Sequence, residues 1–214
     1  MTEYRMRIEP DQSPENPRQW SDSASALITI GRSNGNLGSS KDETANHTGE
    51  AYAMILNVAN LGYSDDYQTL RPMSNTMKKS IGDGSYTWGD FIYDLENDDS
   101  DAKDEAWKRI IKGGVTIVEK TLTTYRDHYS VIAYMTPAMR KAEGMKPKLA
   151  ERCINGELKE LQQWLDGDVW GYIIEKKCEG CGSWEQTDSC WNFYGEEYVK
   201  EEGESALAYA KKNA

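Results

Sequence analysis

The sequence predicts an α+β protein with an antiparallel sheet, an aromatic-rich C-terminal hairpin and several packed helices. Three observations carry this prediction. Short alternating or β-branched runs recur along the chain, and stretches of helical apolar periodicity lie between them without strict alternation of the two. The third is a pair of aromatic runs: Val169, Trp170, Tyr172, Ile173 and Ile174, then Trp184, Cys190, Trp191, Phe193 and Tyr194. The glycine-containing stretch Lys176–Ser183 joins them, which is the pattern of a hairpin with a longer loop. Trp and Tyr bury large areas when placed in a core, so this hairpin is expected to be the best-packed pair, with the other elements gathered around it.

Taken in order, Tyr4, Met6 and Ile8 alternate with polar residues and read as a strand ended by Pro10. Pro14 and Pro17 then forbid a helix or central strand and leave a loop closed by Trp20. Ala26–Ile30 reads as a second strand, followed by an Asn34-Gly35 turn. Gly31, Gly35 and Gly38 are spaced wrongly for a nucleotide-binding turn, and no Gly-Lys-Ser/Thr follows.

Thr48–Leu61 reads as a helix with Tyr52, Ile55, Leu56 and Ala59 on one face and Gly62 closing it. The polar stretch from Tyr63 to Gly84 reads as a loop. A helix is expected from about Asp90, then the acidic run Glu96–Asp101, then a helix over Ala102–Ile111 ending at Gly113-Gly114. Val115–Tyr125 and Tyr129–Met135 read as strands. Pro137–Trp164 is helical in pattern, with Ile154, Leu158, Leu161 and Leu165 in one stripe and Gly144, Pro147 and Gly156 as dividing points. After the hairpin, Glu196–Lys212 reads as an amphipathic helix weakened by Gly203.

A chain of 214 residues is expected to form a single domain over 1–214, with a mobile or inserted segment near 62–104. Lys and Arg number 25 against 36 Asp and Glu, a net charge of −11. That field repels nucleic acid and anionic membrane surfaces and favours a basic partner protein. The first residues lack the apolar core of a signal peptide, and no run reaches the eighteen or so apolar residues of a membrane helix. A soluble, cytoplasmic protein with reduced cysteines is expected.

The sharpest chemical motif is Cys178-Glu-Gly-Cys181-Gly, because a Cys-x-x-Cys turn aims two sulfurs at one point and supplies half of a tetrahedral zinc site. Cys190, and with it Cys153, are the candidates to complete that site, while His47 and His128 are distant in sequence. Zinc is the cofactor this motif would take, and thiol redox chemistry or a plain loop with free thiols are the other readings. His128 beside Asp127 is a candidate general base, with a turn histidine making one local hydrogen bond as the commoner case. Calcium loops fail on spacing, since Asp99 stands where a glycine is needed. Carboxylates concentrate in two stretches, seven from Asp94 to Glu105, among them Asp94, Glu96, Asp98, Asp99 and Asp101, and five from Glu196 to Glu204, among them Glu196 and Glu197. Such arrays can imitate a phosphate backbone in the groove of a nucleic-acid-binding enzyme, although a solvated acidic face is the more frequent explanation.

Two boxes resemble a family of small proteins encoded by bacteriophages and related mobile elements. The family's Pro-Glu-Asn-Pro-Arg-Glu-Trp box is matched by Pro14, Asn16, Pro17, Arg18 and Trp20. Its C-terminal box is matched by Gly167, Asp168, Trp170 and Gly171, then Asp188, Ser189, Cys190, Trp191, Phe193, Tyr194 and Gly195. The family pattern has Gly between the last Trp and Phe, where this chain has Asn192. The His-Arg-Arg-Tyr segment and the Cys-Pro-Trp-Asp-Ser-Gly-Gln motif associated with the family are absent. The resemblance implies a phage or mobile-element setting, hence host cytoplasm, and no particular reaction.

The leading expectation is a non-enzymatic phage protein that binds and modulates a host protein with a basic surface, such as an enzyme of restriction or CRISPR defence. The alternatives are a metal-dependent hydrolase or nuclease, and a zinc-stabilised structural or nucleic-acid-binding module.

Overall fold

Two sheets organise the computed structural model, which describes residues 2–19, 23–31, 37, 42–62, 86–125 and 127–213. The expected loop from Tyr63 to Gly84, the Asn34-Gly35 turn and Trp20 lie outside the described residues. The contacts cluster into two compact units: one takes the residues up to Gln19, Thr123–Tyr125 and everything from Lys159, and the other takes the rest. Each has its own sheet, and the α+β class holds, with 45% helix and 30% strand.

In the four-stranded unit, β2 (Ala26–Ile30) pairs antiparallel with β5 (His128–Met135), aligning Ile28 with Ile132, and parallel with the short β3 (Glu43–Ala45). With β4 (Thr116–Thr123) beside β5, the order is β3-β2-β5-β4. Both faces of β2 are buried from Ala26 through Thr29, which explains why its sequence is an apolar run without alternation. Helices α1 (Thr48–Val58), α2 (Trp88–Glu96) and α3 (Ser100–Lys112) pack on one another. Ile28, Ile55, Leu56, Phe91, Leu95, Ala106, Ile110 and Ile132 form the core between sheet and helices.

Helix ends follow local chemistry. Thr87 and Asp90 form a reciprocal capping box at the start of α2, and the Asp99 carboxylate caps α3 by accepting from the Ala102 amide at 2.9 Å. The close of α1 differs from the sequence expectation. Asn60, at φ 54°, ends it rather than Gly62, with Leu61 N–H donating to the Leu56 carbonyl and Asn60 N–H to that of Asn57. Asn tolerates the left-handed conformation almost as Gly does. Gly62 serves packing, since a Cβ there would stand 2.9 Å from the Trp88 ring. Gly144, at φ 64°, and Pro147 separate α4 (Pro137–Ala142) from α5 (Pro147–Asp166), but Gly156 interrupts nothing.

Asp98 ties this helical layer together. It sits at φ 60° in the turn between α2 and α3, accepts from the Gly49 amide at 3.2 Å and pairs with Lys103 at 2.9 Å. Desolvation opposes its charge, but Lys103, the Gly49 N–H and His47 outweigh that and hold the carboxyl below the ordinary range. Gly49 itself permits the approach, because a Cβ there would lie 2.1 Å from the Leu95 carbonyl oxygen.

The three-stranded unit has β6 (Val169–Lys177) at its centre, antiparallel to β1 (Tyr4–Pro10) on one side and to β7 (Trp184–Tyr194) on the other. Helix α6 (Glu196–Lys212) packs across β6 and β1. Gly203, which weakens α6 on propensity, is where the helix meets the sheet: a Cβ there would come 2.4 Å from the Met6 sulfur and 3.1 Å from Tyr172 Cβ. The hairpin forms as expected, but its aromatic rings are not the core. No residue of β7 is fully buried, and Trp191 is 38% exposed. The buried apolar side chains of this sheet are Val169, Ile173 and Ile174 of the central strand. An edge strand under a single helix leaves its rings half in water, which Trp and Tyr tolerate. Among the described residues, no helix is long and apolar enough to cross a membrane.

Gly49→Ala should destabilise the protein by at least about 2 kcal/mol, since the clash is with backbone and cannot relax by a rotamer change; urea unfolding measures it. Asp98→Asn keeps the left-handed preference and removes the charge, so it should cost about 1 kcal/mol at neutral pH. Because folding lowers this carboxyl's pKa, its contribution is present above the unfolded value near pH ~4 and is lost as pH falls through the folded value. The difference between wild type and Asp98→Asn should therefore shrink in acid.

Candidate functional site

The proline box and the glycine-aromatic box lie far apart in sequence, and the three-stranded unit brings them together. Asp11, just past β1, takes its amide to the Val169 carbonyl at 2.9 Å and offers its carboxylate to the Ser13 amide at 2.9 Å and the Asn192 amide at 3.2 Å. Asn192 Oδ1 accepts from the Glu15 amide at 2.8 Å, and the Tyr194 hydroxyl donates to the Glu15 carbonyl at 2.7 Å. Trp164 Nε1–H reaches the Pro14 carbonyl at 3.3 Å. Asn16 and Arg18 are buried, with the Arg18 amide donating to Asn16 Oδ1 at 2.9 Å over the 3₁₀ turn Pro17–Gln19.

The second box builds the other side. The Asp168 carboxylate accepts from Trp170 Nε1–H at 2.7 Å and from Gln163 at 3.1 Å, while the Asp168 carbonyl accepts from the Gly195 amide at 3.0 Å. Gly167 and Gly195 both have positive φ, 72° and 96°, so both junctions of the box need glycine. Gly171 gives way to the Trp191 ring, which a Cβ would meet at 2.1 Å. The pairing slips between Trp170 and Tyr172, and at this bulge Asn192 takes φ 64°.

Beside the junction lies a hollow of about 520 Å³ lined by Lys159, Gln163, Asp168, Tyr194 and the first two turns of α6, including Glu196, Glu197, Tyr198 and Glu201. Four carboxylates face one ammonium. Burial first, then the charges of Glu160, Glu15 and Asp11, push the Tyr194 phenol well above its usual range. Among the described residues Glu196, Glu197 and Glu201 make no side-chain hydrogen bond or ion pair. A second hollow, about 670 Å³ in the four-stranded unit, is lined by Ala53, Met54, Asn57, Asn60, Gly62, Trp88 and Ile92, none of them titratable.

The predicted residues are thus distributed unevenly. Glu196 and Glu197 line the acidic hollow. Asp94, Glu96, Asp98, Asp99 and Asp101 belong to the four-stranded unit, where Asp94 accepts from the Tyr86 hydroxyl and Asp98 and Asp99 hold helix ends. Cys178 and Cys181 share the β6–β7 loop, whereas Cys190 is within β7 opposite Tyr172. Hydrogen bonds from the Ser183 hydroxyl, the Ser183 amide and the Cys178 thiol hold the Cys181 thiol below its usual range. Among the described residues, no three His, Cys, Asp or Glu side chains cluster to hold a metal ion. His128 opens β5 and is exposed.

Sequence reading missed Asp11, Trp164 and Asn192. The available signal was Asn192, a turn-forming residue inside an aromatic strand run. No family model, curated protein or solved structure significantly matches the chain.

Asn192→Ala removes the Glu15 contact and forces Ala into left-handed geometry, and should cost about 2–3 kcal/mol, whereas Asn192→Gly loses the contact alone, about 1 kcal/mol. Thermal unfolding of the two variants should rank them in that order.

Proposed function

We propose that this chain is a non-enzymatic protein of phage or mobile-element origin, working in the host cytoplasm, that binds a host protein with a basic surface. The observation that carries the reading is the hollow beside the box junction, where Asp168, Glu196, Glu197 and Glu201 outnumber the single ammonium of Lys159. A cationic partner would replace the self-repulsion of these groups with attraction, which sets encounter rate and specificity more than raw affinity. The net charge of −11 adds a long-range field of the same sign. A groove that binds nucleic acid is built to receive regularly spaced negative charge. The partner class proposed is therefore a nucleic-acid-binding enzyme, such as one of restriction or CRISPR defence. Asp94, Glu96 and Asp101 supply further negative charge on the four-stranded unit. Asp98 and Asp99 are engaged in holding the α2–α3 turn.

Immobilised protein should capture the partner from bacterial host lysate at low salt, and added duplex DNA should compete with capture. Glu196→Lys/Glu197→Lys/Glu201→Lys, checked for native circular dichroism, should lose about tenfold or more in capture. Raising salt to about 0.5 M should weaken it similarly by screening. A triple variant that captures as well as wild type, or no capture at low salt, would sink the reading.

A further inference from the structure

The loop that joins β6 to β7 is separate from the acidic hollow, and its chemistry is of another kind. The strand register ends at Lys177 opposite Trp184, leaving six residues that close on themselves. The Cys178 amide donates to the Ser183 carbonyl at 2.8 Å, and the Gly182 amide, at a residue with φ 73°, donates to the Cys178 carbonyl at 2.9 Å. The base of the loop is clamped: the Arg5 guanidinium lies 4.2 Å from the Trp184 ring, and Lys177 pairs with Glu3 at 2.7 Å. Cys178 and Cys181 are therefore held on one small ring of backbone.

Within that ring the Cys178 sulfur leans over Gly180, 3.9 Å from where a Cβ would be, and Cys178 is among the groups that hold the Cys181 thiol below its usual range. Cys181 is exposed, and its sulfur is 2.8 Å from the Ser183 hydroxyl, which together with the Ser183 amide favours the thiolate form. Cys190 provides an internal contrast. It is also exposed, and its sulfur lies 4.0 Å from the Trp191 carbonyl.

We propose that Cys178 and Cys181 form a reversible dithiol–disulfide site, with Cys181 as the attacking thiol, Cys178 as the resolving thiol and a small-molecule disulfide of the glutathione type as electron acceptor. The Cys181 thiolate attacks one sulfur of the acceptor; the acceptor's S–S bond breaks, one glutathione leaves as thiolate, and a mixed disulfide remains on Cys181. The Cys178 sulfur then attacks the Cys181 sulfur, the mixed S–S bond breaks and the second glutathione leaves. The Cys178 proton passes to a departing thiolate. Two protein thiols lose two electrons to become one disulfide, and one acceptor disulfide gains them to become two thiols.

The test uses the whole protein equilibrated in glutathione buffers of set reduced-to-oxidised ratio, quenched in acid, alkylated and mapped by peptide mass. The expected result is a loss of two hydrogens confined to the peptide carrying both cysteines, tracking the buffer ratio and reversing with it. Cys178→Ser should instead accumulate glutathione on Cys181, and iodoacetamide should modify Cys181 about tenfold faster than Cys190 in the reduced protein. Equal alkylation of Cys181 and Cys190, or a glutathione adduct that persists on wild-type Cys181 without resolving, would overturn the proposal. Stoichiometric zinc that shields Cys178 and Cys181 from alkylation until a chelator removes it would overturn it too, and would make the loop a metal turn.

Discussion

The paired hydrogen bonds between Asn192 and the segment Asp11–Glu15 are the contact on which the three-stranded unit depends. They join groups 181 and 177 residues apart in the chain. Closing so long a loop costs little more than closing a shorter one, because the entropy grows only logarithmically with length. The harder problem is local. A segment without regular structure brings amides that must find partners, and here Asp11 uses Val169, Ser13 uses Asp11 and Glu15 uses Asn192. Pro14 and Pro17, lacking an N–H, lighten that demand. The proline box thus makes chemical sense as a segment laid against a strand end.

Much of the fold was legible because the signals were local. Alternation in Tyr4–Ile8, the apolar run Ala26–Ile30 and the helical stripe through Ile154, Leu158 and Leu161 each announce one element, and each element forms. What was not legible depended on neighbours distant in sequence. Gly62 looks like a helix stop, but its constraint is the Trp88 ring, and Asn60 does the stopping. Gly203 looks like a weak point in a helix, but it is the place where the helix meets Met6 and Tyr172. The aromatic hairpin looked like a core because ring count measures area without saying which side of a strand is covered. The candidate site followed the same division: its boxes were visible as motifs, but their meeting was not, since Asp11 and Asn192 carry no pattern that links them.

The acidic residues show how one side-chain type serves different ends according to backbone context. In the four-stranded unit Asp90 and Asp99 accept from helix amides, and Asp98 holds two helices through Gly49 and Lys103. In the three-stranded unit Glu196 and Glu197 occupy the first turn of α6, where no side chain caps the helix. The positive end of the helix dipole offsets part of the repulsion among their carboxylates, by roughly 0.3–1 kcal/mol each. A concave acidic face is tolerated there at little loss of stability, while its charge stays available to the solvent side.

The sheet order β1-β6-β7 also has a consequence for how the chain comes off the ribosome. Tyr4 pairs with Lys176, so β1 waits for a partner encoded 172 positions later. At about 5–20 residues per second that is roughly ten to thirty seconds. During that interval most of the four-stranded unit has already emerged and can fold, while β1 presents unsatisfied backbone to the cell. Arg5, Arg7 and Glu9, interleaved with its apolar residues, make it a poor template for pairing with strangers until β6 arrives.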